Sequence, residues 1–253
     1  MLKKLLLTVG ALVVLIPILA IGWLYYSTEK NMARPTDDAL QALVSDTAVQ
    51  VETGDWIVMR PTTGEPTRGV IVYPGANCDI RGYAPLLKPI AGAGYLVVAV
   101  SMPFDFAIFA PDSATDVREA YPFIEEWVLV GHSMGGAMAG RYAFHHEQEL
   151  AGLVFWDSYP PKPNDLSDSS LPIMHIHRGT LDGAPPQKFQ DMRHLFPGDS
   201  RWVAIPGGIH MYFGSFNGGG YDEEWEPKIS RERQQQMIIA ATLDWLQRVP
   251  SSM

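Results

Sequence analysis

Residues 127–143 read WVLVGHSMGGAMAGRYA, and this stretch decides how the rest of the chain is interpreted. A short apolar run of strand character is followed by Gly-His-Ser-Met-Gly and then by small residues typical of a packed helix. A chain that passes so sharply from strand to helix brings the two elements very close. Only glycine then fits two positions before and two positions after the serine. The pattern predicts a strand, a tight turn with Ser133 at its tip, and a helix.

A serine at such a turn has its hydroxyl lifted clear of the sheet, where it can act as a nucleophile. The alternative is that Gly131 and Gly135 are ordinary turn glycines and that Ser133 only caps the helix. The strand before the serine, the helix after it and the additional Gly136 favour the nucleophile. A serine nucleophile needs a base to remove its proton and a carboxylate to orient that base.

Short apolar runs alternate with helical stretches along the remaining chain, which predicts a mostly parallel sheet covered by helices on both faces. The turn at residues 61–66 resembles a hairpin turn between the first two strands. Strands are predicted at 56–60, 69–73, 96–101, 127–130, 153–156, 173–177 and 202–205, and helices at 37–44, 83–92, 114–123, 136–145, 186–195 and 230–248. Ligands of such sheets bind at the carboxyl ends of the strands.

The base is predicted to be His210, one of seven histidines in the chain. In this architecture the order along the chain is serine, acid, histidine, and each partner follows a later strand. His210 follows the strand at 202–205 through Pro-Gly-Gly-Ile, a flexible turn at the strand's carboxyl end. The other histidines lie inside the serine turn, within a strand, or in or at the ends of helices.

Two aspartates are candidates for the acid. Asp182 lies in the glycine-bracketed loop Gly-Thr-Leu-Asp-Gly after the strand at 173–177, and it is our first choice. Asp157 directly follows the preceding strand, and it remains the alternative. An Asp-Gly pair such as Asp182-Gly183 is also a common turn former without any catalytic role.

The oxyanion formed in acyl transfer needs fixed N–H donors. These are usually the backbone N–H after the nucleophile and one from the loop after an earlier strand. The first donor is predicted to be Met134. The second is predicted to be Ala76, in the loop Pro-Gly-Ala-Asn-Cys after the strand at 69–73. No base is assigned to Cys78, so we expect an inert, partly buried thiol.

Composition narrows the function classes. The chain has 253 residues, 47% of them hydrophobic, which suits one α/β domain with a large core. Its net charge of −9 and the absence of a basic stripe argue against nucleic acid as a partner. The single cysteine excludes an intrachain disulfide and a cysteine-built metal site. We expect neither a metal nor a cofactor.

The N-terminus carries a separate signal. Lys3 and Lys4 precede residues 5–26, a mostly apolar run without formal charge that ends in Trp23, Tyr25 and Tyr26. As a helix it would reach ~33 Å, enough to cross a bilayer core of ~30 Å. We therefore predict a membrane anchor with an outward-facing catalytic domain. A signal peptide cleaved after Gly22, with export of the domain, is the alternative. The predicted organisation is an anchor or signal at 1–30, a linker at 31–50 and the α/β domain at 51–253.

These features together resemble the serine α/β-hydrolases, and more narrowly the compact bacterial family described as dienelactone-hydrolase-like. The matching stretches are VIVYPGANCDIRGYA (70–84), GYLVVAVSMPF (94–104), GHSMGGAMA, GTLDG and GGIHMYFG. The resemblance implies an α/β-hydrolase fold, the triad Ser133, Asp182 and His210, and cofactor-free hydrolysis of esters or related acyl compounds. Dienelactone hydrolases proper carry cysteine where this chain has Ser133, so the resemblance does not extend to their substrate.

The substrate is expected to be a small-molecule ester. Residues 159–171 leave no room for a large cap domain, so the site should be open or covered by loops. Phe104, Phe106, Ile108 and Phe109 would either line an acyl pocket or pack in the core. Two hypotheses follow. The first is a membrane-tethered or exported serine esterase, with thioesterase and acyltransferase chemistry using the same triad. The second is a catalytically inactive scaffold that serves as a binding protein.

Overall fold

One eight-stranded sheet forms the centre of the protein, as seen in a computed structural model that describes residues 2–250. The strand order is β2-β3-β5-β4-β6-β7-β8-β9, in which β2 and β3 are antiparallel to their neighbours and the other pairs are parallel. The predicted mostly parallel sheet is confirmed. Its strands are β2 (Val49–Thr53), β3 (Trp56–Pro61), β4 (Arg68–Tyr73), β5 (Leu96–Val100), β6 (Glu126–His132), β7 (Gly152–Trp156), β8 (Ile173–Gly179) and β9 (Arg201–Pro206).

Helices cover both faces of this sheet, and its central strands are accordingly buried along almost their whole length. One apolar cluster lies between the sheet and α3 and α7, and the other lies between the sheet and α4 and α5. The double winding predicted from the sequence is therefore present. The helices of the domain are α2 (Asp37–Ala42), α3 (Ala84–Gly92), α4 (Ser113–Ala120), α5 (Met134–His146), α6 (Gln187–Asp191) and α7 (Arg231–Leu246).

The hairpin predicted between the strands at 56–60 and 69–73 is wrong. These strands are β3 and β4, and they do not pair with each other. β5 lies between β3 and β4, and it pairs with β3 antiparallel and with β4 in parallel. The turn after β3 therefore leads the chain across β5 instead of folding it back on itself. Local turn residues cannot reveal this, since the strand that intervenes begins only at Leu96, 35 residues after β3 ends at Pro61.

The N-terminal segment forms a long helix, α1 (Leu2–Asn31), followed by the short strand β1 (Ala33–Pro35). Its stretch Leu12–Asn31 is long and apolar enough to cross a membrane, and only 6% of that stretch is buried against the protein. β1 pairs with β10 (Phe216–Gly218), and the buried Ala39 of α2 lies in the segment expected to be a linker. Residues 31–50 are therefore packed on the domain.

Access to the sheet's carboxyl edge is open. In the described chain, the connection from β7 to β8 consists of turns and irregular backbone without a helix, in keeping with the expected lack of a large cap. The loops after β4, β6, β7 and β9 all reach this edge. The candidate site is built from these four loops.

Candidate active site

Ser133 occupies the sharp turn between β6 and α5. Its backbone has φ 53° and ψ −123°, a conformation that is strained for any residue with a side chain. A Cβ on Gly131 would come within 2.5 Å of the Gly135 carbonyl oxygen, and a Cβ on Gly135 within 2.3 Å of the Tyr73 carbonyl oxygen. The glycines are thus required by close backbone approach, and the predicted strand, turn and helix are present.

His210 and Ser133 line the same cavity, which has a volume of about 270 Å³. His210 begins the turn after β9, and its side chain is buried. Its backbone N–H donates to Glu223 Oε2 at 2.9 Å, and the ring of Tyr221 stacks on its imidazole with centroids 4.0 Å apart. The imidazole is therefore held between the sheet edge and the segment that follows β10.

Asp157 lies directly beside His210. The His210 Nδ1–H donates to Asp157 Oδ2 at 2.5 Å. The other carboxylate oxygen, Oδ1, accepts from the backbone N–H of Arg178 at 2.9 Å, and the Arg178 guanidinium also bonds Oδ2. With Nδ1 committed to a carboxylate, Nε2 is the ring nitrogen left to accept a proton.

A buried ion pair keeps the Asp157 carboxylate charged. Burial alone would raise the pKa of Asp157, but the hydrogen bond and charge of His210 and the Arg178 guanidinium together lower it below its ordinary value. The Arg178 side chain is fully buried and donates also to the Tyr221 hydroxyl and to Glu224. Such a pair is costly to assemble and more costly to break, so Asp157 is fixed in place as an anion.

Asp182, our first choice for the acid, does not reach His210. Its side chain is exposed at the tip of the loop after β8, and its carboxylate accepts a hydrogen bond from the Thr180 hydroxyl. That local bond lowers the pKa of Asp182, as expected for a turn aspartate. The alternative residue, Asp157, takes the position at the histidine, and the choice of Asp182 is corrected accordingly.

One signal in the sequence pointed to Asp157. Arg178 lies in β8, a strand that is buried along its whole length. An arginine there needs a carboxylate within reach, because an unpaired buried charge is strongly unfavourable. β7 is the parallel neighbour of β8 and ends immediately before Asp157, so that residue is the nearest acid in the sheet.

The loop Gly75–Cys78 after β4 forms another wall of the cavity, with Ala76 and Cys78 at its surface. Neighbouring N–H groups are occupied: Gly75 donates to the Tyr83 hydroxyl at 2.9 Å and Asn77 to the Asp105 carbonyl at 2.9 Å. Within residues 2–250, the Ala76 N–H has no protein acceptor. The Met134 N–H, in the first turn of α5, is among those that lack an acceptor within the helix. Both predicted oxyanion donors therefore belong to elements that adjoin Ser133.

The buried side chains of Tyr83 and His132 are hydrogen-bonded to each other, and Tyr83 is also bonded to this loop. The Tyr83 hydroxyl that receives the Gly75 N–H lies 2.8 Å from His132 Nδ1. Burial and the neighbouring His210 lower the pKa of His132 well below its ordinary value, so its imidazole stays neutral. Burial also raises the pKa of Cys78 to about 12, which keeps this thiol protonated. Cys78 thus lies in the wall as a protonated thiol, and it is more deeply buried than the sequence led us to expect.

Comparison with known proteins agrees with this architecture. The family model described as the alpha/beta hydrolase family matches residues 69–236, which is more than half of the chain. The chain belongs to the alpha/beta hydrolase family. The matched range contains the serine turn, Asp157, Asp182 and His210. A comparison with curated proteins finds no match.

Solved structures share the fold at low sequence identity. Monoglyceride lipase from Saccharomyces cerevisiae aligns with a TM-score of 0.56 at 12% identity, over 84% of this chain and 98% of that chain. A membrane phospholipase A described as a bacterial virulence factor aligns with a TM-score of 0.56 at 14% identity, over 98% of this chain and 100% of that chain. A putative dienelactone hydrolase from Klebsiella pneumoniae aligns with a TM-score of 0.52 at 17% identity, over 76% of this chain and 92% of that chain.

Proposed function

We propose that this protein is a serine hydrolase that cleaves carboxylic esters through an acyl-enzyme. The observation that carries the proposal is the coincidence of three features at one cavity. Ser133 is held in a strained turn, His210 lines the same cavity, and Asp157 orients His210 through a 2.5 Å hydrogen bond. Similarity of fold to a lipase, a phospholipase and a dienelactone hydrolase is compatible with this chemistry.

The reaction proceeds in two halves. Ser133 Oγ attacks the ester carbonyl carbon while His210 Nε2 takes its proton, and the carbonyl oxygen becomes an oxyanion facing the Ala76 and Met134 N–H groups. The C–O bond then breaks, and the alcohol leaves with the proton from His210. Water next attacks the acyl-enzyme, again giving a proton to His210. The acid leaves and the proton returns to Ser133.

Asp157 contributes by holding the imidazole in one tautomer and by stabilising the imidazolium formed in each half. Arg178 keeps the carboxylate ionised and directs Oδ2 towards His210. In this proposal Arg178 is a positioning residue, since it acts through Asp157 and does not touch the substrate.

A substrate panel tests the reaction class. We expect p-nitrophenyl esters to be hydrolysed by the wild-type protein and not by the Ser133→Ala variant, with amide counterparts slower because amines are poorer leaving groups. Faster turnover of thioesters would instead assign thioesterase activity to the same triad. Acyl transfer to added alcohols in place of hydrolysis would assign acyltransferase activity to it. Equal background rates for wild type and variant on every substrate would favour the inactive scaffold.

We infer that α1 anchors the domain to a membrane, with the catalytic domain facing outward. The apolar side chains of α1 are largely exposed, among them Leu19 at 69% and Trp23 at 68%, and soluble proteins rarely expose an apolar face of this extent. The aromatic residues near its end suit an interfacial belt. Lys3 and Lys4 precede the apolar run, as in a signal peptide or a signal anchor, and both of these send the chain that follows across the membrane.

Two truncations test the anchor. Removal of residues 1–30 should give a soluble protein that retains most of its activity on short esters, because Ala33 and its bonds to the Gly75–Cys78 loop remain. Removal of residues 1–35 serves as the matched comparison and should lose at least about tenfold more activity, since a misplaced oxyanion donor is costly. The mass of the full-length protein recovered from washed membranes should include residues 5–26. A soluble product beginning at Trp23 would instead establish a cleaved signal peptide.

A further inference from the structure

The end of α1 forms part of the cavity that contains Ser133. Asn31, the last residue of the helix, and Ala33 of β1 line the same cavity as Ser133 and His210. Thr28, one turn earlier, is buried against the domain. The apolar helix therefore ends at the mouth of the candidate active site and not at a remote face of the domain.

Backbone hydrogen bonds connect this helix end to the Gly75–Cys78 loop, which carries the proposed oxyanion donor Ala76. The Ala33 N–H donates to the Asn77 carbonyl at 2.7 Å, and the Asp79 N–H donates to the Ala33 carbonyl at 3.1 Å. Ala33 also pairs with Gly218 in the small sheet of β1 and β10. A bilayer that holds α1 must consequently hold the cavity mouth at a fixed distance from its surface.

An exposed apolar surface continues from the helix end. Phe104, Ile108 and Phe109 are 41%, 56% and 53% exposed, and the rings of Phe104 and Phe109 are in edge-to-face contact at 5.8 Å. They therefore neither pack in the core nor line the cavity. The turn Pro103–Asp105 that presents Phe104 contacts α1, and the Asp105 carbonyl receives the Asn77 N–H. We name Phe104, Ile108 and Phe109 the apolar rim.

Phe104 and Asp105 both have positive φ, of 54° and 58°. A bulky residue such as phenylalanine rarely adopts this conformation, so its outward orientation is held at a cost by the surrounding structure. The apolar rim is thus a fixed feature of the mouth, adjacent to the anchor.

Cavity size limits what enters. The cavity volume of about 270 Å³ is slightly below the ~300–1,000 Å³ typical of ligand pockets. It suits the reacting part of an ester but not the whole of a long-chain lipid. The remainder of such a molecule would lie outside the mouth, against α1 and the apolar rim.

From these contacts we propose that the substrate is an amphiphilic lipid ester resident in the same bilayer that holds α1. Its ester group enters the cavity at Ser133 while the outer part of its acyl chain stays in the hydrocarbon, with the apolar rim lying at the interface. Hydrolysis consumes one water and releases a fatty acid and the remaining alcohol. This inference rests on the proposed function, because it concerns the substrate of the same serine.

The test uses the full chain reconstituted in vesicles of an ether-linked phosphatidylcholine, which has no acyl ester to hydrolyse, with a long-chain diacylglycerol in the bilayer and p-nitrophenyl butyrate as the soluble substrate in the same samples. We expect diacylglycerol in the protein's own vesicles to be hydrolysed at least about tenfold faster than the same lipid supplied in protein-free vesicles, because a lipid with two long apolar chains leaves a bilayer slowly. Equal rates for the two arrangements would overturn the inference.

Matched variants test whether the apolar rim is the surface that contacts the bilayer. Phe104→Ser and Phe109→Ser together should lower the ratio of lipid to butyrate hydrolysis by about tenfold, since each removes apolar area from the interface. Phe123→Ser is the control, because Phe123 is 51% exposed but lies just before β6, at the opposite end of the sheet. An unchanged ratio in the double variant, or an equal fall in the control, would contradict the proposal.

The two proposals fail differently. Hydrolysis of butyrate that depends on Ser133, without preference for lipid in the protein's own vesicles, would overturn only the inference about the bilayer. Absence of any hydrolysis that depends on Ser133 would overturn the proposed function and this inference with it. Because the readout is a ratio within one sample, partial unfolding of a variant lowers both rates and leaves the ratio interpretable.

Discussion

Replacement of Ser133 or His210 by alanine is expected to lower ester hydrolysis by at least ~10⁴-fold while the fold is retained. In the proposed mechanism the Ser133 hydroxyl is the attacking group and His210 is its base, so the loss of either removes nucleophilic catalysis. The residual rate should come from the oxyanion donors and from substrate binding. Steady-state rates with p-nitrophenyl butyrate measure the effect, and circular dichroism checks the fold.

The double variant provides the control for this prediction. Residues that act as one unit do not contribute additively, so Ser133→Ala with His210→Ala should be little slower than either single variant. Effects that multiply would mean that the two residues act in separate steps. Near-full activity of either single variant would remove that residue from the mechanism.

Replacement of Asp157 by asparagine is expected to lower hydrolysis by about 10³–10⁴-fold, since an amide no longer selects the required tautomer of His210. The same change leaves the buried Arg178 guanidinium without its counter-charge, so the free energy of unfolding should fall as well. Rates are therefore to be measured well below the melting temperature of the variant, together with the fraction that remains folded.

Asp182→Asn is the matched control, because it makes the same chemical change at an exposed loop tip. It should alter the rate by less than about threefold, as expected for a surface substitution away from the site. A larger loss for Asp182→Asn than for Asp157→Asn would show that the loop after β8 supplies the acid in the working enzyme. It would also show that the 2.5 Å contact of Asp157 with His210 is only structural.

The serine turn could be predicted from the sequence because its requirements are local. Gly131, Ser133 and Gly135 lie within five residues, and each is needed for backbone approach at one point. His210 could be predicted for a similar reason, since it follows a recognisable strand and turn. The family match and the sheet order agree with the fold expected from these patterns.

The sequence alone could not decide which aspartate is the acid partner of His210, because two aspartates follow neighbouring strands that end at the same sheet edge. The sequence does not show side-chain direction. Asp157 has φ 50° at the end of β7 and directs its carboxylate towards His210 and Arg178, whereas Asp182 lies farther out on its loop. The buried Arg178 would have separated the two candidates.

Local sequence patterns also could not predict that residues 31–50 pack on the domain. β1 and β10 have three residues each, too few for any periodicity, and their partners are far apart in the chain. The bond from Ala33 to Asn77 joins the end of the apolar helix to the Gly75–Cys78 loop across more than forty residues. Contacts of this kind are visible only once the chain is folded.

The most direct test of the account is the site of covalent modification by a fluorophosphonate. Such a reagent reacts with a serine only when a base activates its hydroxyl, so the product reports the nucleophile itself. Peptide mass spectrometry of the labelled full-length protein should place the adduct on Ser133, with labelling lost in His210→Ala and strongly reduced in Asp157→Asn. Absence of an adduct, or an adduct on another serine such as Ser158 or Ser215, would contradict the assignment of Ser133 as the activated nucleophile.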